Sequence, residues 1–348
     1  MRLASSVIRT ISSAQLLLKC PNSLYPCTDS PNSARLHHSL LKRPILRNEF
    51  MRLFLVDSNI YIYKAWFGVK HEMLNTDQQP NQAFIGFTDF VYRLLTESVP
   101  QKLVFAFDHG GKKSERKALY SEYKANRSAT PVNLRRQFEW CQQWIEQLGI
   151  SKVSDPEWEA DDLIGTLAQL HRSPEQSIVI ISADKDLTQL VREGDICWSF
   201  FDNKKLDYNA IKKKFKVKPE QIADQLALTG DKVDNIPGIP LVGLKTAANL
   251  LRKYGDLKTL RANLHEVGKM KFRYSAQVQR SLIDNESILD ISSALTQINC
   301  HIESMRGVSI SRRPADAEQL QKLMGFHQMD SDRCHKWQTY LKLNCPLL

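Results

Sequence analysis

Short apolar runs of strand length recur along the chain after residue 51 and alternate with longer amphipathic segments. The strand-like runs are RLFLV (52–56), LVFAF (103–107), IVIIS (178–182) and ICWSF (196–200). Their hydrophobicity is nearly continuous, which is typical of strands buried on both faces of a parallel sheet. Between the first two runs, a core helix is predicted by apolar residues at helical spacing: Phe84, Phe87, Val91, Leu94 and Leu95. The alternation predicts an α/β fold built on a doubly wound parallel sheet with right-handed crossovers.

Composition narrows the class of protein. The 348 residues are 42% hydrophobic and 25% charged, which excludes bulk disorder. No run approaches the ~18 to 20 apolar residues of a membrane-spanning helix, so no membrane partner is expected. The seven cysteines form no C-x-x-C pair and no zinc-like spacing, which favours a reducing compartment over a disulfide scaffold. No Gly-rich phosphate loop follows a predicted strand, which disfavours a nucleotide cofactor.

The first 50 residues form a basic leader that we exclude from the fold. They contain seven basic and two acidic residues, are rich in Ser and Arg, and lack a sustained apolar period. This composition is typical of an organelle transit peptide. The alternative is an upstream start codon, because Met51 leads directly into the first predicted strand. Both interpretations remain open.

Acidic residues follow three of the predicted strands. Asp57 ends the first, Asp108 follows the second, and Asp184 and Asp186 lie just past the third. Because open parallel sheets bind ligands at the carboxyl ends of their strands, these four side chains should converge on one edge. Five more carboxylates occur in the segments EWEADDL and GDKVDNIPG: Glu159, Asp161, Asp162, Asp231 and Asp234.

Each carboxylate alone has an ordinary explanation, since Asp after a strand is usually a turn former or a helix N-cap. Nine together would repel one another and raise one another's pKa values unless a cation were bound. Oxygen ligands without His or Cys indicate Mg²⁺ or Mn²⁺ rather than zinc. A set of this size has room for two ions, which is the arrangement used to hydrolyse phosphodiesters.

Two basic patches flank the acidic segments and indicate a polyanionic partner. Residues 112–136 contain eight basic and two acidic residues, and residues 245–280 contain nine basic and two acidic residues. A run of lysines is usually a solvated face, and Lys212–Lys218 is interpreted in that way. Separate patches on both sides of a metal site favour binding to a nucleic-acid backbone.

Together these motifs resemble the bacterial 5′–3′ exonuclease/flap endonuclease family, which includes the nuclease domain of DNA polymerase I and stand-alone exonuclease IX-type proteins. The matching stretches are FLVDSNIYIYKAW, VFAFD, RKALYSEYKANR, EWEADDLIGTLA, ISADKDLTQL and GDKVDNIPGIPLVGLKTAANLL. The resemblance implies a PIN-like parallel-sheet nuclease domain at 51–218, with a helical arch near 109–136. It also implies a helix–three-turn–helix (helix–hairpin–helix-like) DNA-binding module at 219–305 and a C-terminal segment at 306–348.

The resemblance further implies roles for individual residues. All nine carboxylates match the family's metal site. Lys124 and Arg127 match its catalytic basic pair beside the scissile phosphate, where a lysine can neutralise developing charge. Arg116, Lys117 and Tyr120 lie one to two helical turns earlier and are expected to guide single-stranded DNA by charge and stacking. For Lys124 and Arg127, ordinary arch-surface charges are the alternative.

The segment GIPLVGLKTAANLL is expected to form a hairpin that holds duplex phosphate. Gly238 and Gly243 flank a turn into a helix whose backbone N–H groups can hold a phosphate, with Lys245 and Thr246 adding contacts. The family often binds K⁺ in this hairpin and usually has Gly where Leu241 stands. A turn that serves only packing is the alternative.

The resemblance implies metal-dependent hydrolysis of DNA at or near the 5′ ends of flapped or nicked duplexes, by a monomer acting in replication or repair. A bacterial member would be cytoplasmic, and a transit peptide would instead direct the protein to an organelle such as the mitochondrion. One alternative is a PIN-type ribonuclease, which would leave the duplex-binding module without a role. The other is a structure-specific DNA-binding protein with a residual site, against which the complete carboxylate set argues.

Overall fold

The structure is a computed structural model that describes residues 52–68, 73–109 and 115–344. The leader at 1–50 lies outside the described residues, so the structure tests neither the transit peptide nor the upstream start codon. Residues 110–114 of the expected arch also lie outside them. The fold below concerns the described ranges alone.

A six-stranded sheet has the strand order β3-β2-β1-β4-β5-β6. The strands are β1 (Arg52–Asp57), β2 (Lys102–Ala106), β3 (Ser151–Val153), β4 (Ser177–Ile181), β5 (Ile196–Ser199) and β6 (Lys204–Leu206). All pairings are parallel except that of β6 with β5. The predicted doubly wound parallel sheet is therefore confirmed. Chain order reverses between β1 and β4, which is the switch point where such sheets bind ligands.

Helices connect and follow the strands. They are α1 (Ser58–Gly68), α2 (Gln82–Ser98), α3 (Glu115–Leu119), α4 (Val132–Gln147), α5 (Ala160–His171), α6 (Tyr208–Phe215), α7 (Ile222–Thr229), α8 (Leu244–Tyr254), α9 (Leu257–Ala262), α10 (Leu264–Val267), α11 (Ser275–Asp284), α12 (Glu286–Thr296), α13 (Ala317–Phe326) and α14 (Ser331–Asn344). Short 3₁₀ turns span Asp186–Leu190, Pro219–Gln221 and Glu303–Met305. In the ranges that the structure describes, no helix combines the length and apolar character needed to cross a membrane.

Both faces of the sheet are buried. One face, with Val56 and Phe105, packs against α1, α2 and α4, and it takes up the apolar stripe of α2 expected from the sequence. The other face, with Leu55 and Val104, packs against α5. Because alternate strand residues enter two different cores, the strands read as continuous apolar runs.

Helices α7 to α12 form a second core in which α7 packs against α8 and α12. This core also includes Cys197 of β5 and Ile211 of α6, so the helical module is fixed to one edge of the sheet. The module carries the hairpin between α7 and α8. Its attachment determines where that hairpin lies relative to the strand ends.

The last two helices return to the first core, which the sequence did not suggest. Trp337 of α14 is 1% exposed, and its ring centroid lies 5.0 Å from that of Trp144 and 5.4 Å from that of Tyr92. Asn81 Nδ2 donates to the His327 carbonyl oxygen at 2.8 Å, which ties the start of α2 to the end of α13. These contacts make α13 and α14 part of the first core.

Candidate metal and nucleic-acid site

Four carboxylates lie at the carboxyl ends of the central strands, as the sequence predicted. Asp57 is the last residue of β1, Asp108 lies just beyond β2, and Asp184 and Asp186 follow β4. Ser182 Oγ joins two of these ends, because it donates to Asp57 Oδ2 at 2.7 Å and accepts from the Asp184 N–H at 2.9 Å. Since β1 lies between β2 and β4, the sheet brings the four side chains to one edge.

The N-terminus of α5 borders the same edge. Glu159 is its N-cap, and Asp161 and Asp162 lie in its first turn. The Ala160 N–H donates to Asp108 Oδ1 at 2.8 Å, so the positive end of the helix faces the carboxylates. The helix thereby delivers Asp161 to the space occupied by the strand-end groups.

A loop of the helical module supplies the remaining two carboxylates. The backbone N–H and C=O of Asp231 bond Ile236 at 3.0 and 2.8 Å, which closes the loop 231–236. Lys185 Nζ lies 2.6 Å from Asp231 Oδ2. Asp234 follows in the same loop, and its carbonyl oxygen accepts from the Lys124 N–H at 2.9 Å. Residues far apart in sequence therefore meet at the sheet edge.

Five of the nine carboxylates make no ion pair within the described residues, and burial raises the pKa of each one. They are Asp57, Asp108, Asp161, Asp184 and Asp186. Burial, together with repulsion from Asp184, raises the pKa of Asp57 and of Asp186 to about 7. In the described structure, Asp186 Oδ1 is also buried without a hydrogen-bond partner. Lys124 and Lys185 lie near enough to oppose this rise in pKa at four of these groups, but in the described structure neither forms an ion pair with any of the five.

The other four carboxylates are paired with basic side chains. The pairs are Lys124–Glu159 (2.8 Å), Arg116–Asp162 (2.6 Å), Lys185–Asp231 (2.6 Å) and Arg127–Asp234. Burial alone would raise the pKa of Glu159, but Lys124 and Arg116 hold it below its usual value. Burial alone would likewise raise the pKa of Asp231, but Lys185 holds it below its usual value. Basic side chains of the protein itself therefore neutralise the charge of these four carboxylates.

No three Asp, Glu, His or Cys side chains in the described part of the chain form a ready-made metal-ligand set. The donors nevertheless fit a hard divalent cation, because the five unpaired groups are all carboxylates. A bound cation would relieve their repulsion and give Asp186 Oδ1 a partner.

Metal-free protein should lose stability as the pH rises. A carboxyl group whose pKa is raised by folding binds its proton more tightly in the folded state. Its protonation therefore stabilises the folded state at low pH. That contribution is lost between the unfolded pKa near 4 and the folded pKa of about 7. We expect the melting temperature in EDTA to fall between about pH 5 and about pH 8, and Mg²⁺ to restore it at the higher pH. Asp186→Asn should flatten the EDTA profile, and a profile as steep as wild type would contradict this prediction.

The predicted catalytic pair lies in a turn, residues 120–127, which we call the basic turn. Lys124 Nζ is 2.8 Å from Glu159 Oε2 and 3.8 Å from Asp234 Oδ2. The Lys124 backbone is left-handed, with φ of +56°, a conformation that costs a non-glycine residue about 1–2 kcal/mol. Its N–H bond to Asp234 holds it there. Arg127 is more exposed and also contacts Asp234.

Sequence reasoning missed the connections between the basic turn and the loop 231–236. Asn126 Nδ2 donates to the Lys232 carbonyl oxygen at 2.9 Å, and Asn235 Nδ2 donates to the Glu122 carbonyl oxygen at 2.7 Å. It also missed Lys185, whose only signal was its position inside the motif ADKDL. These contacts join the basic turn, the sheet edge and the helical module.

The three residues expected to guide single-stranded DNA lie in different environments. The Arg116 side chain is only 12% exposed and forms a bidentate pair with Asp162. Lys117 is exposed on α3, and Tyr120 is half-buried beside Tyr123. A DNA contact stays a prediction for Lys117 and Tyr120, whereas the surroundings of Arg116 favour a different role.

The hairpin between α7 and α8 has the turn that the sequence predicted. A Cβ on Gly238 would lie 2.4 Å from the backbone at the end of α7, so only glycine permits this approach. Gly243 is the N-cap of α8, with Lys245 and Thr246 in its first turn. Leu241 has φ of +69° and is 63% exposed, which explains why glycine suits this position. Contact of this hairpin with phosphate stays a prediction.

Two family models match the chain. The model for the 5′-3′ exonuclease N-terminal resolvase-like domain matches residues 52–223, and that for the 5′-3′ exonuclease C-terminal SAM fold matches residues 217–318. Together they cover the sheet, the basic turn and the helical module.

Three bacterial proteins illustrate the sequence similarity. The 5′-3′ exonuclease of Buchnera aphidicola (subspecies Schizaphis graminum) is 30% identical over 250 residues, which is 72% of this chain and 87% of that protein. The 5′-3′ exonuclease of Aquifex aeolicus is 36% identical over 212 residues, 61% of this chain and 72% of that protein. DNA polymerase I of Rhizobium leguminosarum is 32% identical over 321 residues, 85% of this chain. The chain spans only 30% of the polymerase.

Solved structures share the fold at low identity. T5 5′-exonuclease with bound divalent zinc ions matches with a TM-score of 0.57 and 17% identity, over 84% of this chain and 98% of that one. The catalytic core of Rad2 in complex with DNA substrate matches with a TM-score of 0.58 and 17% identity, over 90% and 100%. These matches confirm the predicted α/β fold with its helical module.

Proposed function

The chain belongs to the 5′–3′ exonuclease family, and we propose that it is a divalent-metal-dependent 5′ nuclease acting on DNA. The observation that carries the proposal is the group of five carboxylates at the switch point of the sheet, none of which forms an ion pair within the described residues. The basic turn lies directly beside it. The matches to a T5 5′-exonuclease with divalent ions and to a Rad2 core with DNA substrate support the proposal.

We propose that the five unpaired carboxylates hold Mg²⁺ or Mn²⁺, two ions in all. Glu159, Asp231 and Asp234 lie at the border of this group and would join it when their basic partners turn to the substrate. Such ions would supply a nucleophilic water at neutral pH and stabilise charge on the attacking and leaving oxygens.

The basic turn provides the chain's own contribution to phosphate binding. Glu159 and Asp234 keep Lys124 charged, because their attraction raises its pKa well above the usual value despite burial. The ion pair with Glu159 positions the Lys124 ammonium group before the substrate arrives. A phosphate bound at the sheet edge would then compete with Glu159 for this group. Arg127 would contact an adjacent phosphate oxygen from the more exposed side.

Duplex binding is proposed for the hairpin, and 5′-end selection for the arch that contains α3 and the basic turn. The exposed first turn of α8 offers backbone N–H groups together with Lys245 and Thr246. We also propose that this hairpin binds K⁺. We therefore propose flapped duplexes, nicked duplexes and free 5′ ends as substrates, bound by a monomer.

The domain division at 51–218 and 219–305 and the cellular compartment are also proposals. The matched ranges, 52–223 and 217–318, support the division. The bacterial relatives support a cytoplasmic location, and an organelle location depends on the leader.

A cleavage assay tests the function directly. Flap DNA, single-stranded DNA and single-stranded RNA of matched sequence are labelled at the 5′ end and incubated with Mg²⁺ or with EDTA. We expect Mg²⁺-dependent release of short 5′ products from flap DNA. Preferred cleavage of the RNA would favour the PIN-type ribonuclease, and tight flap binding without cleavage would favour a DNA-binding protein.

Lys245→Ala should weaken duplex binding without changing sequence preference. Lys245 is exposed in the first turn of α8 and forms no ion pair within the described residues. If it contacts one phosphate, its loss should flatten the slope of log Kd against log salt by about one unit. Fluorescence anisotropy with flap and nicked DNA in Ca²⁺ measures that slope. Lys213→Ala, on the solvated face of α6, is the matched control, and equal slopes for both variants would remove Lys245 from the interface.

A further inference from the structure

The Arg116–Asp162 ion pair, which we call the bridge, connects three parts of the site. Arg116 Nη1 and Nη2 donate to Asp162 Oδ2 and Oδ1 at 2.7 and 2.6 Å. The same guanidinium donates from Nε to the Leu295 carbonyl oxygen at 3.1 Å and from Nη2 to that of Gln297 at 3.0 Å. It therefore joins α3 of the arch to the first turn of α5 and to the C-terminal end of α12.

The carboxylate of Asp162 is saturated by protein donors. Besides the two bonds from Arg116, Oδ1 accepts from the Asn299 N–H at 2.9 Å and Oδ2 accepts from the Glu159 N–H at 3.3 Å. A carboxylate has about four lone-pair sites, and all four are used. The side chain is 1% exposed. The adjacent Asp161 differs, because it makes no ion pair in the described structure and its environment is that of the unpaired group.

Arg116 is similarly committed to the protein. Its bonds end on one carboxylate and on two carbonyl oxygens at the negative end of a helix, and its Nη1 also lies 3.4 Å from Glu159 Oε2. Glu159 is the group that holds Lys124, 2.8 Å away. Through Arg116, the bridge thus holds in place the Glu159 carboxylate that pairs with Lys124. A groove of about 990 Å³ is lined by both members of the bridge and by residues of α3 and 294–301.

We infer that the bridge positions the arch over the metal site, and that Arg116 and Asp162 are positioning residues rather than a DNA contact and a metal ligand. The inference rests on the proposed nuclease function and revises two expectations from the sequence. The EADD motif predicts Asp162 to be a metal ligand together with Asp161. Adjacent residues of one helical turn point in different directions, however, and Asp162 points to Arg116. The basic segment around Arg116 predicts a DNA contact, but its guanidinium is used by Asp162 and by two carbonyl oxygens.

Metal binding separates an anchor from a ligand. Mn²⁺ binding in the absence of DNA is measured by electron paramagnetic resonance for wild type, Asp162→Asn and the neighbouring control Asp161→Asn. We expect Asp161→Asn to weaken Mn²⁺ binding at least tenfold and Asp162→Asn to bind Mn²⁺ as wild type does. Equal weakening by both substitutions would show that Asp162 is a ligand and would overturn the inference.

Arg116→Lys tests the other member and replaces Asp162→Asn if that variant does not fold. Lysine keeps the charge but cannot form the bidentate pair. We expect wild-type Mn²⁺ affinity, wild-type KM and salt slope on flap DNA, and a kcat reduced at least tenfold because Lys124 loses its fixed position. A flattened salt slope or a wild-type kcat would overturn the inference. If the wild-type protein cleaves no flap DNA at all, the proposed function fails, whereas the Mn²⁺ comparison still decides the role of Asp162.

Discussion

Asp184→Asn should reduce Mg²⁺-dependent cleavage of flap DNA by about 10³-fold or more, which corresponds to roughly 4 kcal/mol of transition-state stabilisation. Asp184 is central to the unpaired group, since its charge helps to raise the pKa values of Asp57, Asp161 and Asp186. Asparagine keeps the shape of the side chain but removes the charge that would hold the cations. DNA binding in EDTA should be retained or become tighter, because one source of repulsion against phosphate is removed.

The control for this substitution is Asp224→Asn in α7. Asp224 also has a pKa raised by burial and accepts a backbone N–H, that of Leu257, at 2.9 Å, but it lies outside the site. Single-turnover rates across a Mg²⁺ titration are compared for the two variants. Wild-type rates for Asp184→Asn at every Mg²⁺ concentration would remove the strand-end carboxylates from the metal site.

Trp337→Ala should destabilise the protein by about 3–5 kcal/mol, the usual cost of deleting a large buried aromatic side chain. Trp337 is 1% exposed, and its ring packs against Trp144, Tyr92 and Tyr340 with centroid separations of 5.0 to 5.7 Å. Truncation would leave a cavity between α14 and the helices that cover the sheet. Urea denaturation followed by circular dichroism measures the free energy of unfolding.

Leu343→Ala in the same helix is the matched control for the core contact. Leu343 is 74% exposed, and its truncation should change the free energy of unfolding by no more than about 0.5 kcal/mol. If Trp337→Ala lowers the free energy of unfolding no more than this control does, α14 does not contribute to the first core.

Much of the fold was predictable because strong local patterns coincide with deep burial. The strands β1, β2, β4 and β5 are continuous apolar runs, and each carries residues into two cores. The strands β3 and β6 were missed because each has three residues, and their sequences SKV and KKL offer no run to detect. Their pairing is imposed by neighbouring strands, which is tertiary information.

The site was predictable as a group of residues but not as a set of partners. Strand ends and the first turn of a helix lead to the carboxylates directly, because topology alone brings them to one edge. The pairing of Lys185 with Asp231 and of Arg116 with Asp162 each crosses 46 residues, and the bond from Arg116 to Leu295 crosses 179. Local sequence patterns do not indicate contacts between residues so far apart in the chain. The division into paired and unpaired carboxylates therefore required the three-dimensional structure.

The return of α13 and α14 to the first core sets the order in which the chain can complete its structure during synthesis. The bond from Asn81 to His327 spans 246 residues, and the ion pair between Asp89 and Arg333 spans 244. The helical module, between them in sequence, leaves the ribosome before this core can close. The side of α2 and α4 that carries Tyr92 and Trp144 therefore stays uncovered until α14 has been synthesised, and this is the apolar surface to which chaperones have access in the nascent protein.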